Sequence, residues 1–365
     1  MRGGLSLGLM GDTDFDPDLD TDTDTGGDTG GGIASRLGLG LAAIGRPAYI
    51  TVGRDSDLGS ADDRSIDAMQ DRAHRLLEEA WLLGVRYFDA ARSYGHAERF
   101  LGSWLAEHPA RRDALTIGSK WGYEYVGDWR LDADVQERKD HGLRMLEQQW
   151  PETLEALGGA PDVYLIHSLT PESPALDDPA LLDRLREIAA SGVRVGFSTS
   201  GPEQAAVIDR VLALADSPFT AVQSTWNLLE PSAGPALARA NDARWLVVVK
   251  EVLANGRLTA RGAEVAQSAG LPAGGTGGGV AARGAEVAAA ALAAASGQPL
   301  AGLAIGAAVA HPWADIVLSG AVTGEQLREN LAARPPGVDL DEDALAALAE
   351  PPGQYWAARS ARPWT

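Results

Sequence analysis

The sequence lacks cysteine altogether, and this absence excludes disulfides, cysteine-ligated zinc and thiol nucleophiles. Basic residues are also scarce, because 31 Lys and Arg face 51 Asp and Glu and leave a net charge of −20. Nucleic-acid binding depends on clustered Lys and Arg, so we expect no nucleic-acid partner. Residues 1–10 hold no apolar stretch of signal-peptide length. Together these absences lead us to expect a cytoplasmic protein.

Long hydrophobic runs are missing too. The longest uncharged stretch, residues 287–310, consists mostly of Ala and Gly and is interrupted by Ser296, Gln298 and Pro299. A membrane span needs about 20 consecutive and strongly apolar residues, which this composition does not offer. We therefore expect a helix that leads to a strand here, and no membrane partner.

An acidic segment precedes the part of the chain that can fold. Residues 11–32 repeat Asp, Thr and Gly and contain almost nothing to bury, a composition typical of disorder. We therefore predict a disordered tail over residues 1–34 and a single folded domain over residues 35–365. With 45% apolar and 22% charged residues, the whole chain has the composition of a soluble globular protein.

After residue 35 the sequence alternates between helical and strand-like patterns. Residues 65–83 place apolar side chains at helical spacing, and a short apolar run follows Gly84. The same unit recurs and predicts seven strands, with an eighth near residues 35–41. The seven cover residues 85–89, 115–120, 163–167, 193–198, 221–223, 245–249 and 316–318. Eight strands alternating with helices predict a (β/α)8 barrel, the TIM-barrel fold.

Polar side chains stand at the ends of these otherwise apolar strands. They are Asp89, Lys120, His167, Ser198, Gln223 and Lys250. In a parallel barrel the carboxyl ends of all strands meet on one face, where barrel active sites are built. We therefore expect these residues, which come from separate units, to converge in one site.

Several segments resemble the aldo-keto reductase family. Residues 87–98, YFDAARSYGHAE, are similar to the family's F-D-T-A-x-x-Y-G-x-x-E block. The segments GSK at 118–120, YLIH at 164–167 and GFS at 196–198 resemble three of its strand ends, and residues 320–330 resemble its last phosphate loop. The resemblance extends from about residue 35 to about residue 333.

The resemblance implies a catalytic tetrad of Asp89, Tyr94, Lys120 and His167. A free phenol has a pKa of about 10, so a Tyr that donates a proton near neutral pH needs a cation to stabilise its phenolate. Lys120 would supply that cation, and Asp89 would keep Lys120 charged by pairing with it. His167 would orient the substrate carbonyl and donate or relay a proton.

Hydride chemistry needs a cofactor, and the resemblance implies NADP, with NAD as the alternative, held without a Rossmann domain. By resemblance Ser198 and Gln223 bind the nicotinamide carboxamide, and Lys250 stands where the family has an aromatic ring that stacks on the nicotinamide. The loops after the last two strands would grip the diphosphate and adenosine. The residues assigned to the second of these loops are Ser319, Gly320, Gln326 and Asn330. NADP-specific relatives often have Lys and Arg in place of Gly320 and Gln326, so the sequence does not separate NADP from NAD.

The substrate is predicted only as a small carbonyl compound or the corresponding alcohol. Trp121, directly after Lys120, and residues 122–140 are expected to wall its pocket, because loops on this face of a barrel form binding sites. Packing at the rim is the alternative role for these aromatic residues. The direction of the reaction stays open, and we expect a monomer or a small homo-oligomer.

Three other functions compete with this one. A Rossmann dehydrogenase is suggested by residues 38–43, GLGLAA, but Pro47 interrupts the helix that should follow. A metal-dependent hydrolase could draw on the acidic and His side chains of residues 89–98 and on His167, but spacings such as H-E-x-x-H are missing, so we expect no metal. The third is a nicotinamide-binding sensor or scaffold of the same fold with little turnover.

Overall fold

Parallel strands at the centre of the molecule close into a barrel. The structure is a computed structural model that describes residues 33–50, 54–268, 278–335 and 342–364. Its strands are β1 (Leu37–Gly40), β2 (Tyr87–Asp89), β3 (Thr116–Trp121), β4 (Tyr123–Tyr125), β5 (Glu137–Lys139), β6 (Val163–Leu169), β7 (Arg194–Thr199), β8 (Ala221–Thr225), β9 (Leu246–Lys250) and β10 (Ile316–Ser319). Eight of them are hydrogen-bonded in the order β1-β10-β9-β8-β7-β6-β3-β2, and β1 closes the ring by pairing with both β10 and β2. The predicted (β/α)8 barrel is confirmed.

Helices connect the barrel strands and follow the last of them. They are α1 (Arg54–Leu58), α2 (Ile66–Leu82), α3 (Ala97–Glu107), α4 (Leu143–Leu157), α5 (Pro179–Ala190), α6 (Gln204–Leu212), α7 (Gly234–Asp242), α8 (Ala260–Ser268), α9 (Gly278–Ser296), α10 (Leu300–Ala310), α11 (Gly324–Leu331), α12 (Glu342–Leu348) and α13 (Pro352–Ser360). Ser65, Asp178 and Thr323 precede α2, α5 and α11, and each side chain accepts a hydrogen bond from a backbone N–H in the first turn. Such caps satisfy N–H groups that have no partner within the helix, so they fix where these helices begin.

Strand alternation divides the buried side chains into two clusters. Successive side chains of a strand point to opposite faces, so Tyr87 faces the barrel interior while Phe88 packs under the helices. The interior cluster lies below the strand ends and consists of Tyr87, Val163, Leu165, Ala221, Val248 and Leu318. Gly38 completes this layer, because a Cβ there would lie 2.8 Å from Cδ2 of Leu318. The motif that suggested a Rossmann loop is therefore part of a closely packed barrel strand.

Two parts of the fold were not predicted. An antiparallel hairpin of β4 and β5, with Tyr123 opposite Lys139, occupies the connection between β3 and α4. The helices α12 and α13 follow the last barrel helix. The predicted tail over residues 1–34 lies outside the described residues up to residue 32, and Ile33–Ser35 form a 3-10 turn that leads into β1.

The uncharged stretch over residues 287–310 forms the end of α9 and all of α10. The segments Gly284–Ser296 and Leu300–Ala310 meet at an angle of 86°. Within the described ranges, no single helix has both the length and the hydropathy needed to cross a membrane.

Candidate active site

A cavity of about 1240 Å³ opens at the carboxyl ends of the barrel strands. Its walls include three members of the predicted tetrad, Asp89, Tyr94 and His167. Asp89 and His167 follow the interior-facing residues Tyr87 and Leu165 by two positions, so alternation directs them into the barrel mouth. The structure therefore brings together residues that are up to 78 positions apart in the sequence (89 to 167).

Lys120 and Asp89 form a buried ion pair at the base of this cavity. Nζ of Lys120 lies 2.5 Å from Oδ2 of Asp89 and also donates to the carbonyl oxygen of Ala90 at 2.9 Å. Nε2 of Gln223 donates to Oδ1 of Asp89 at 2.8 Å. Burial lowers the pKa of Lys120, and the charge of Asp89 opposes that shift. The carboxylate thus holds a charged ammonium in a site that water barely reaches.

Tyr94 lies against this ion pair in the loop after β2. Nζ of Lys120 is 4.7 Å from the centroid of the Tyr94 ring, and the ring meets that of His167 edge to face at 5.4 Å. Burial raises the pKa of Tyr94 well above its usual value, Asp89 raises it further, and Arg46 lowers it. The sequence had indicated Lys120 as the cation that makes Tyr94 more acidic. In the structure burial outweighs the nearby cations, so Tyr94 keeps its proton at rest.

His167 is a neutral imidazole at physiological pH. Burial lowers its pKa well below the usual value, and the charges of Lys120, Lys250 and Arg46 lower it further. Its Nδ1 lies 3.3 Å from Oγ of Ser93.

His141 supports the backbone of His167 from the neighbouring connection. Nε2 of His141 lies 2.7 Å from the carbonyl oxygen of His167, and Nδ1 lies 2.5 Å from Oγ of Ser173. Burial lowers the pKa of His141 to about 4. A neutral His141 can donate from one ring nitrogen and accept at the other, which satisfies both contacts.

Most residues predicted to bind the cofactor line the same cavity. They are Gln223, Lys250, Ser319, Gly320, Gln326 and Asn330. Ser198 is fully buried, and its Oγ accepts from the backbone N–H of Ser168 at 2.7 Å. Ser168 lines the cavity and has a φ of +58°. Among the described residues Ser198 does not itself line the cavity, but it holds the backbone of Ser168, which does.

Trp121 lies away from the predicted substrate pocket. It follows the interior-facing Lys120 on β3, so its side chain points to the outer face of the strand. The side chain is fully buried and packs edge to face with His141 at 6.2 Å, and among the described residues it is not part of the cavity wall. From the predicted segment 122–140, Tyr123 and Glu137 of the hairpin do line the cavity.

Lys250 ends β9 at the wall of the cavity. Its Nζ donates to Oγ1 of Thr225 at 2.9 Å and lies 3.6 Å from Oε1 of Glu251. Burial lowers the pKa of Lys250 to about 8, although the charge of Glu251 opposes this. Burial would raise the pKa of Glu251, but Arg359 and Lys250 bring it down to about 2. The carboxylate therefore stays charged and links β9 to α13 through Arg359.

The loop after β10 is shaped by side chains from the end of β10 and from α11. Nδ2 of Asn330 donates to Oγ of Ser319 at 2.8 Å, and Oε1 of Gln326 accepts from the N–H of Val322 at 2.9 Å. Gly320 has nothing within 4 Å of the position a Cβ would take, so the backbone is open to the cavity there. Thr323, Glu325 and Gln326 at the start of α11 line the cavity, and backbone N–H groups at a helix start suit phosphate.

One unpartnered polar atom tests whether a nicotinamide cofactor fits this site. Oε1 of Gln223 is buried and has no hydrogen-bond partner in the described part of the chain. Its amide nitrogen is held by Asp89, so the free oxygen is left to accept from a ligand N–H such as a carboxamide. The cavity also exceeds the range of about 300–1,000 Å³ that is typical of sites for one drug-sized ligand. The residues present therefore fit a dinucleotide.

Sequence reasoning missed several residues of the cavity wall. Arg46, Tyr49, Glu251, Arg359 and Trp364 all line the cavity. Glu251 directly follows Lys250 at a predicted strand end, whereas the other four stand in no recognised motif and two of them come from the last seven residues of the chain. Over the described ranges, no group of three or more His, Asp or Glu side chains is arranged to hold a metal ion.

The fold and the site together define a (β/α)8 barrel with a polar cavity at the carboxyl ends of its strands. The sequence profile described as "Aldo/keto reductase family" matches residues 58–350. This match covers most of the chain, so the chain belongs to the aldo/keto reductase family, a family of oxidoreductases. The resemblance seen in the sequence motifs is thereby confirmed.

Individual relatives agree with this assignment. A curated aldo-keto reductase from Gibberella moniliformis is 32% identical over 123 residues, which span 33% of this chain and 35% of that protein. The holo form of an aldo-keto reductase from Bacillus halodurans has a TM-score of 0.60 and 21% identity, covering 87% of this chain and 92% of that one. A glycerol dehydrogenase from Gluconobacter oxydans has a TM-score of 0.59 and 20% identity, covering 86% of this chain and 90% of that one. At these identities the two structures show a shared fold.

Proposed function

We propose that the chain is an NAD(P)H-dependent oxidoreductase that interconverts an aldehyde or ketone and the corresponding alcohol, with Tyr94 as the general acid and base. The observation that carries this proposal is the buried Lys120–Asp89 ion pair against the Tyr94 ring, at the wall of a large cavity. Membership of an oxidoreductase family supports it.

Tyr94 acts through its phenolic proton. In reduction the carbonyl carbon gains a hydride, and the Tyr94 O–H bond breaks as its proton moves to the carbonyl oxygen. Lys120 and Arg46 stabilise the phenolate that remains, which then recovers a proton from solvent. In alcohol oxidation the same phenolate accepts the hydroxyl proton. The neutral ring of His167 donates a hydrogen bond to the substrate oxygen from Nε2 when its Nδ1 accepts from Ser93.

A nicotinamide cofactor would supply or accept the hydride. Gln223 would hold its carboxamide through the unpartnered Oε1. The diphosphate would be bound by the loop after β10, where Ser319 and Asn330 shape the backbone and Gly320 leaves it open. We propose NADP as the preferred form and NAD as the alternative.

The remaining expectations form part of the same proposal. The substrate would be a small molecule, the protein would act in the cytoplasm, and it would do so as a monomer or a small homo-oligomer. The wall contributed by Tyr123, Glu137 and Arg46 is both aromatic and charged, which suits a hydroxylated substrate such as a sugar aldehyde or polyol better than a purely apolar ketone.

The test compares the wild type with Tyr94→Phe in steady-state assays with NADPH and NADH against a panel that includes glyceraldehyde and 4-nitrobenzaldehyde. We expect kcat/KM to fall by about 10²–10⁴-fold in Tyr94→Phe, because general acid catalysis typically contributes that much. Cofactor affinity, followed by quenching of Trp fluorescence, should change little. If both proteins bind the cofactor but turn over equally slowly, the protein is a nicotinamide-binding sensor instead of an enzyme.

A further inference from the structure

Arg46 is a buried cation beside Tyr94 that lies outside the tetrad. It follows β1, is 2% exposed and lines the cavity. Its Nη1 donates to Oε1 of Glu137 at 2.6 Å and to the carbonyl oxygen of Ser93 at 3.0 Å, and its Nε donates to the carbonyl oxygen of Ala42 at 3.3 Å. Arg46 therefore ties the loop after β1 both to the hairpin strand β5 and to the residue directly before Tyr94.

The backbone around Arg46 presses against the turn that carries Tyr94. The N–H of His96 donates to the carbonyl oxygen of Gly45 at 2.7 Å. A Cβ at Gly45 would lie 2.4 Å from the carbonyl oxygen of Tyr94, and a Cβ at Gly95, whose φ is +61°, would lie 2.5 Å from the carbonyl oxygen of Gly45. Only glycine fits at both places, so the position of Arg46 relative to Tyr94 is set by the main chain.

The charges around Tyr94 are arranged in two ion pairs. The guanidinium carbon of Arg46 lies 5.2 Å from the centroid of the Tyr94 ring, close to the 4.7 Å of Nζ of Lys120. Each cation has its own carboxylate, Glu137 for Arg46 and Asp89 for Lys120. The charged or titratable groups that face Tyr94 are Asp89 on β2, Lys120 on β3, Glu137 on β5, His167 on β6, Glu251 after β9, and Arg46 and Tyr49 after β1.

We propose that Arg46 and Glu137 are a positioning pair that sets how readily Tyr94 gives up its proton. Arg46 stabilises the negative charge that Tyr94 acquires when its proton leaves, and Glu137 holds Arg46 in place and limits that stabilisation. The inference rests on the proposed role of Tyr94 as general acid. The pKa of Tyr94 agrees with this arrangement, because Arg46 lowers it and Glu137 raises it.

The test uses variants with opposite expected signs. Arg46→Gln removes the cation, Glu137→Gln removes the anion, and Arg46→Lys keeps the charge. Arg138→Gln is the matched control, because Arg138 is the next residue on β5 and forms an exposed pair with Glu124. The pH profile of kcat/KM is measured for each full-length protein in the direction of alcohol oxidation, with the alcohol that corresponds to the best aldehyde of the panel, and thermal unfolding checks its fold.

We expect the rising limb of the kcat/KM profile to move by about one unit to higher pH in Arg46→Gln and by about one unit to lower pH in Glu137→Gln. At a fixed pH on this sloping limb, kcat/KM should therefore be about tenfold lower in Arg46→Gln and about tenfold higher in Glu137→Gln. Arg46→Lys should restore most of the wild-type profile, and Arg138→Gln should match the wild type. If Arg46→Gln does not fold, Glu137→Gln and Arg46→Lys still carry the test.

A second readout does not depend on turnover. The chain has seven tyrosines, so the ¹³Cζ signal of Tyr94 can be assigned by its loss in Tyr94→Phe, and the onset of its titration can be compared among the variants. An onset that is unchanged in Arg46→Gln and Glu137→Gln, or that moves in the same direction in both, overturns the proposal. If the onset moves as expected while Tyr94→Phe retains full activity, the pair acts on Tyr94 and the proposed function is what fails.

Discussion

Around Tyr94 the cavity is lined by side chains that bond across the barrel, whereas after β10 its wall is shaped by bonds within one loop. Gln223 and Asp89 are 134 residues apart, and Arg46 and Glu137 are 91 residues apart. In the loop after β10, by contrast, Val322 bonds Gln326 four residues on, and Ser319 bonds Asn330 eleven residues on. The cavity wall around Tyr94 therefore exists only when the whole barrel is closed. The wall after β10 can form from a single segment of the chain.

This difference predicts how substitutions should affect the protein in the two parts of the cavity wall. A change near Tyr94 leaves a buried charge or donor from another strand without its partner, which is costly in free energy. A change in the loop after β10 alters the ligand contact and leaves the barrel intact. Two of the departures from the family pattern, at Gly320 and Gln326, fall in the segment after β10, whereas the third, Lys250, ends β9.

The largest effect is expected from Lys120→Met. Among the described residues this change leaves the buried Asp89 side chain with only the amide of Gln223 as a hydrogen-bond partner, so the free energy of unfolding should fall by about 3–5 kcal/mol. We also expect kcat/KM to fall by at least about 100-fold, because the phenolate of Tyr94 loses a cation. Urea denaturation and steady-state assays measure the two effects. Lys139→Met, at an exposed lysine, is the control, and equal behaviour of the two variants would show that the buried ion pair contributes neither stability nor catalysis.

A smaller effect is expected when acid protonates His141. Its folded-state pKa of about 4 lies below the usual value of about 6.5, so the neutral ring contributes stability that is fully present above pH 6.5 and is lost as the pH falls towards 4. The loss amounts to about 3 kcal/mol. Unfolding free energies at pH 7 and pH 4.5 should therefore differ less in His141→Gln than in the wild type. An identical difference in the two proteins would show that other groups control acid unfolding.

The smallest effect is expected on the cofactor side, from Lys250→Met. An oxidised nicotinamide carries a positive charge that the reduced form lacks, so a charged Lys250 disfavours the oxidised form. Removing it should raise the affinity for NADP+ relative to NADPH by roughly fivefold, or about 1 kcal/mol, at pH 6.5. At pH 9 the two proteins should converge, because Lys250 loses its proton near pH 8.

Fluorescence titrations with both cofactor forms measure this ratio. Arg328→Met is the matched control, since Arg328 is 60% exposed and pairs with Glu79. If Lys250→Met and the wild type have the same ratio of NADP+ to NADPH affinity at pH 6.5, Lys250 lies too far from the nicotinamide to be affected by its charge.

The barrel and the residues at its strand ends could be predicted because both depend on short-range patterns. Alternation with a period of two identifies Asp89, Lys120 and His167 as interior residues, two positions beyond Tyr87, Gly118 and Leu165. The same rule places Trp121 on the opposite face from Lys120, so the prediction that Trp121 walls the substrate pocket conflicts with the alternation that located Lys120. The assigned roles of the site residues stay predictions until they are measured.

The rest of the site could not be predicted, because it depends on which loops meet across the barrel mouth. Arg46 and Glu137 are 91 residues apart and neither belongs to a recognised motif. Trp364, whose ring lies 4.5 Å from the guanidinium carbon of Arg46, comes from the end of the chain. No periodicity in the sequence relates these three positions, so only tertiary structure shows that they share one wall.

The buried lysines also make this protein accessible to site-selective labelling. Among 31 basic residues the chain has only three lysines, at positions 120, 139 and 250. Lys139 is exposed, Lys120 is 1% exposed and held by Asp89, and Lys250 reaches the cavity with a pKa of about 8. A small amine-reactive reagent applied near pH 8 thus has one surface lysine as an internal reference and one cavity lysine as a reporter. Mass spectrometry of the two adducts would follow cofactor occupancy without a substrate being known.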